Sequence, residues 1–186
     1  MKVLRGFHNR LLALVVLMFG AALPAFAQTA ELDALFEKLA KADAAEAERL
    51  ESDIWREWSK SGSAAFDLLL GRGREAIQQG DFQAAIDHLS ALIDHSPDFA
   101  EAWNARATAY YQAGSFGPSI ADIQHTLALN PRHFGAMSGF AMILEELERP
   151  DQALEVYRAA LAIHPHLAGV VEAIERLETA KRGQGI

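Results

Sequence analysis

The chain has 186 residues, 51% of them apolar, which suits one domain or a short repeat array with a sizeable core. It contains no cysteine, and this excludes disulfides, thiolate catalysis, Cys-ligated zinc and a lipid anchor on an N-terminal cysteine. The net charge is −8, with lysine and arginine spread thinly and no basic stripe, so neither nucleic acid nor an anionic membrane surface is expected as a partner.

Residues 1–27 read as a secretory signal peptide. Lys2, Arg5 and Arg10 form a positive start, an apolar run from Leu11 to Leu23 follows, and Pro24 precedes the small-residue pattern Ala25-Phe26-Ala27. That run is shorter than the roughly 17–25 residues needed to cross a bilayer. Cleavage before Gln28 is therefore expected, leaving no membrane span, and the destination is the periplasm if the cell is Gram-negative. Loss of the three basic residues takes the net charge from −8 to −11, which favours solubility.

Residues 28–65 form an N-terminal helical segment and linker. Leu32, Leu35, Phe36 and Leu39 make one helical stripe, and Leu50, Ile54 and Trp58 make another at i, i+4 and i+8. Asp43 is placed to cap a second helix. The spacing predicts a helix pair that caps the N-terminal end of the downstream helices; a single bent helix is the alternative. Trp55 and Trp58 lie one turn apart and are expected to pack against the first repeat, with an exposed aromatic anchor for a partner as the competing reading. Ser59–Ser63, containing Gly62, reads as the linker.

A period of 34 residues governs the next hundred positions. Pro97, Pro131 and Pro165 each close an apolar helical stretch. Gly80-Asp81-Phe82 and Gly114-Ser115-Phe116 recur at the same interval, each between two helical patterns. Ala85, Ser119 and Ala153 share a register, as do Gly73, Ala107 and Ala141, and small side chains at both places let two helices approach closely. The repeats run 66–99, 100–133 and 134–167. The third turn reads Glu148-Arg149-Pro150 without glycine, and an altered geometry is expected there. Residues 168–182 form an amphipathic helix with Val170, Val171, Ile174 and Leu177 on one side, suited to cap a solenoid. Residues 183–186 are expected to be a flexible tail.

These residues resemble the tetratricopeptide-repeat (TPR) family, whose 34-residue unit is a helix pair. The middle repeat carries Trp103, Ala107, Tyr110, Gly114, Phe116, Ser119 and Pro131; the first has Leu69, Gly73, Gly80, Phe82, Ala85 and Pro97; the third keeps Ala141, Ala153, Ala160 and Pro165. The resemblance implies an all-α protein: a right-handed α-solenoid of three TPR hairpins with an N-terminal helix pair and a C-terminal capping helix. It also implies a concave groove lined by the first helix of each repeat. Transferred position by position, that groove is Leu70, Arg74 and Ile77, then Asn104, Thr108 and Tyr111, then Ser138, Met142 and Glu145. Such a surface suits an extended peptide or a helix. One TPR subtype grips the terminal carboxylate of heat-shock chaperones with lysine, asparagine and arginine. Here Leu70, Ala105, Gly135 and Gly139 stand at places in that set, so that activity is not expected.

The chemistry-bearing residues do not assemble into a catalytic set. His88, His95, His125, His133, His164 and His166 show no i, i+4 metal pair, and His164-Pro165-His166 sits at a repeat boundary, where it reads as turn filling. Gly71-Arg72-Gly73 lies inside a predicted helix and lacks the spacing of a phosphate loop. No cofactor, metal or catalytic residue is expected. The reading is a non-catalytic protein-binding scaffold or adaptor of the cell envelope, holding a protein or peptide in the groove. The alternative is a structural module that self-assembles into a homo-oligomer; an envelope enzyme ranks below both.

Overall fold

A computed structural model describes residues 30–183, which form nine α-helices and no strands among the described residues. The expected signal peptide and the residues beyond Gly183 lie outside the described residues.

Helices α1 (Ala30–Leu39) and α2 (Ala44–Trp58) make the N-terminal pair, settling the choice between two helices and one. Asp43 caps α2, its carboxylate accepting the Glu46 N–H at 2.9 Å. Three hairpins come next: α3 (Ala64–Gln78) with α4 (Phe82–His95), α5 (Ala100–Gln112) with α6 (Phe116–Leu129), and α7 (Phe134–Glu146) with α8 (Pro150–Ile163). Each second helix ends two residues before its repeat's proline, at His95, Leu129 and Ile163. Helix α9 (Ala168–Gly183) closes the C-terminal end, laying Val170, Ala173 and Leu177 on Ala141, Leu144, Leu154 and Tyr157.

The small-residue positions are where helices meet. A Cβ at Gly73 would lie 2.5 Å from Leu89 Cγ, so only glycine lets α3 and α4 close to this distance. In the second repeat, Ala107 stands in the register of Gly73, and buried Ser119 donates its hydroxyl to the Ala107 carbonyl at 2.8 Å. Successive first helices also touch one another, α3 against α5 and α5 against α7, whereas successive second helices make no comparable contact. The array therefore bends with α3, α5 and α7 on its inner side.

Two expectations are corrected. The glycine-free turn is not altered. Glu148 takes φ 55°, beside φ 76° at Gly80 and 71° at Gly114. All three turns make the same pair of backbone bonds, Asp81 N–H to Ala76 and Gly80 N–H to Ile77 in the first, and Arg149 N–H to Leu144 and Glu148 N–H to Glu145 in the third. Helix packing fixes the turn, and the glutamate conforms to it.

The second correction concerns α1–α2. The pair does not cap the first repeat; it lies across the concave side, against the third. Leu32, Phe36, Leu39, Leu50, Ile54 and Trp58 form one buried cluster with Phe134 from the start of α7. Trp58 stacks on His133 with ring centroids 4.2 Å apart. Phe134 and His133 offer the aromatic platform on which the pair rests, and Leu68 on α3 is left 56% exposed.

Candidate functional site: a partitioned concave groove

Helix α2 crosses the inner face and divides it. Trp55 stands at the divide, lining a larger cleft of about 730 Å³ on one side and a smaller one of about 480 Å³ on the other. The larger cleft lies between α2, α7 and α9, with Tyr111, Phe134, Met142, Tyr157 and Val170 giving its apolar walls. The smaller lies between α2, α3 and α5. Gly135 makes room for Trp55: a Cβ there would lie 2.6 Å from Trp55 Cη2.

Beneath α2 runs a polar chain centred on Glu101, which is 2% exposed. Its carboxylate accepts from Arg74 Nη2 at 2.5 Å, from Asn104 Nδ2 at 3.3 Å and from His133 Nε2 at 2.9 Å. The Ala136 N–H donates to His133 Nδ1 at 3.0 Å, so the other ring nitrogen carries the hydrogen that Glu101 accepts. His133 thereby caps α7 and joins the inner faces of the second and third repeats. Arg74 also donates to Ser59 Oγ at 3.0 Å, tying the end of α2 to the first repeat. Both oxygens of this buried carboxylate thus meet donors, which offsets the cost of taking them out of water.

At the far end, Glu145 accepts from Tyr157 Oη at 2.7 Å and from Arg176 at 2.7 and 3.1 Å. Burial pushes the Glu145 carboxyl up, and the Arg176 and Tyr157 hydrogen bonds outweigh it, leaving the group below its ordinary value. Burial and the bond to Glu145 hold the Tyr157 hydroxyl well above its usual range. The His164 hydrogen bond draws Glu51 below its ordinary value, against burial and with help from Trp55.

Of the nine positions assigned to the groove, Arg74, Ile77, Asn104 and Thr108 line the smaller cleft, and Tyr111, Ser138, Met142 and Glu145 line the larger. Leu70 does not line either. It is 2% exposed and sits in the seam with Leu89, Leu92, Ala102 and Ala105, because its helical position faces α4 and α5. The corner histidines fasten α1–α2. His164 Nε2 meets Glu51 at 3.2 Å, and His166 Nε2 lies 2.9 Å from the Ala42 carbonyl. The sequence reading missed Glu101, His133 and Gly135 as groove residues. The signals were slight: an acid three residues before Asn104, and a glycine in the first turn of a helix where entropy disfavours it. Most polar groups of the groove are paired with one another, so what it offers a ligand is chiefly aromatic and apolar surface.

The tetratricopeptide-repeat family model matches residues 70–124 and 119–168. A TPR repeat-containing protein of Rhizobium etli is 39% identical over 135 residues, covering 72% of this chain and 66% of its own length. A small glutamine-rich tetratricopeptide repeat-containing protein of Saccharomyces cerevisiae is 26% identical over 138 residues, of which this chain spans only 39%. Among solved structures, the first TPR of Spaghetti, bound to an HSP90 peptide, superposes with TM-score 0.59 at 23% identity over 62% of this chain and 94% of that one. The chain thus spans less than two thirds of these curated relatives, and the likeness to the solved domain is one of fold.

Proposed function

Because the chain belongs to the tetratricopeptide-repeat family, we propose that it is a non-catalytic scaffold that holds another protein through its concave face. The reading takes the ligand as a peptide or helix with apolar side chains. One observation carries it: α7 and α9 leave open a cleft of about 730 Å³ whose walls are aromatic and aliphatic, and a concave apolar surface with a few fixed polar groups is what peptide recognition uses. The placement in the cell envelope rests on the leader-like residues 1–27. N-terminal sequencing of the protein from a Gram-negative host tests it; a chain that retains Met1 or Lys2 removes that assignment.

A photoreactive side chain at Met142, which is 42% exposed in the larger cleft, should crosslink a partner in cells, while the same group at Gln124 on the exposed face of α6 should not. Equal labelling from both positions, or none from either, overturns the groove reading. Self-assembly is the second reading, favoured by Leu68 standing exposed on the uncapped end of the array. Sedimentation over a wide concentration range separates the two: an oligomer lost on Leu68→Glu supports self-assembly, and a persistent monomer supports the scaffold.

A further inference from the structure

The inner face of this array is already holding a helix. We infer that α2 is a resident ligand of the concave groove, seated where a partner's amphipathic helix bearing two aromatic residues one turn apart binds by displacing it. The inference rests on the concave face being the binding face, and goes beyond it by naming the occupant.

The seat matches the aromatic pair rather than helices in general. Gly135 lacks the Cβ that would strike Trp55 at 2.6 Å. His133 lies flat under Trp58 at 4.2 Å, and Phe134 meets Trp55 edge-on at 5.8 Å and Trp58 at 4.9 Å. The His133 ring is itself held from below by Glu101 and from its own helix by the Ala136 N–H, so the platform is rigid before anything lands on it. Rigid aromatic surface with its polar atoms already satisfied is what a hot-spot side chain needs.

The occupant, by contrast, is built to leave as a unit. α1 and α2 share their own core through Leu32, Phe36, Leu39, Ala47 and Leu50. The link to the array, Ser59–Ser63, is short and polar, and Gly62 within it takes φ 80° in open space, as a hinge requires. The fit is also imperfect. Trp55 is only half-buried, with a cleft on either side, and the buried Trp58 Nε1–H meets no protein acceptor. Beside the bond from buried His164 to Glu51, the fasteners are surface contacts: the Arg132 ion pair with Asp33, which is 55% exposed, and the exposed His166 ring on the Ala42 carbonyl. An incoming helix whose indole or phenol finds an acceptor, or which fills the flanking clefts, holds the advantage over α2.

The test uses the full chain and a fluorescent peptide of residues 43–60, added in trans and followed by anisotropy. In the unaltered protein the seat is occupied and binding is weak. In Trp55→Ala/Trp58→Ala the seat is empty, and affinity for the peptide should rise at least tenfold. Adding Gly135→Leu to that variant fills the notch and should abolish the gain. If Trp55→Ala/Trp58→Ala loses helicity by circular dichroism, Arg132→Glu, which sets like charges against Asp33, carries the same comparison. Equal affinity for the unaltered and released proteins, or a gain that survives Gly135→Leu, overturns the inference. Should it fall while Met142 still crosslinks a partner, the groove remains the binding face and only the role of α2 is lost.

Discussion

Position 148 holds a glutamate where positions 80 and 114 hold glycine, and all three backbones turn through positive φ. A side chain in that region meets the following carbonyl, a strain of roughly 1–2 kcal/mol, partly offset by the greater entropy that glycine loses on folding. Glu148→Gly should therefore stabilise the protein by about 1 kcal/mol, read as a rise in the urea midpoint at unchanged slope, whereas Gly114→Ala should destabilise it by about the same amount. A second residue-scale case is Arg106, which forks onto Asp122 at 2.7 and 2.9 Å and reaches Ser90 at 2.9 Å, joining α4, α5 and α6. Asp122 is 4% exposed, so Arg106→Ala leaves a buried carboxylate without its partner and should cost about 3 kcal/mol by the same urea measurement. The period of the turns was legible in sequence because glycine marks two of the three. Glu148 was not, since no property of a glutamate announces that its backbone will be bent by helices on either side.

Among the elements, the repeat helices could be read from the 34-residue spacing alone, because their stops are prolines and their contacts are small residues at fixed places. The seat of α1–α2 could not. Its stripe of Leu50, Ile54 and Trp58 says only that one face is buried, and the surface that buries it comes from His133 and Phe134, some eighty positions on. Tertiary pairing of this kind leaves no periodic mark. The groove shows the same division: eight of its nine assigned positions line the clefts, but Leu70, read as the first residue of the groove, belongs to the seam between helices. At the other end, α9 buries a narrow stripe and leaves Glu172 and Glu175 to solvent. Leu177→Asp puts an unpaired charge into that stripe. Amide exchange should then rise throughout α9 and at Tyr157 in α8, with α4 and α5 protected as before; a uniform rise over all helices would mean that α9 is not a separable cap.

At the scale of the whole molecule, α1–α2 changes what a short solenoid is. A linear array passes stability only between neighbours, but here α2 is bonded to the first repeat through Ser59 and Arg74 and rests on the third through Trp58 and Phe134. Carboxylates fasten the C-terminal side of this arrangement, one between α2 and the third repeat and one between the third repeat and α9. Glu51 holds His164, and Glu145 holds Tyr157 and Arg176, and both carboxyls lie below their ordinary value of 4.5 in the folded chain. A group whose folded value is depressed contributes stability above its unfolded value, and that contribution is lost as pH falls through the folded one. The melting temperature should accordingly be level from pH 7 down to about 5 and fall below 4.5. Glu145→Gln removes one such group: it should lower the melting temperature at pH 7, where the carboxylate is charged, and the gap to the unaltered protein should narrow as pH falls below 4.5 through the folded value, where that contribution is lost. A constant gap between the two proteins across that range would show that Glu145 acts through shape alone and that the acid sensitivity arises elsewhere.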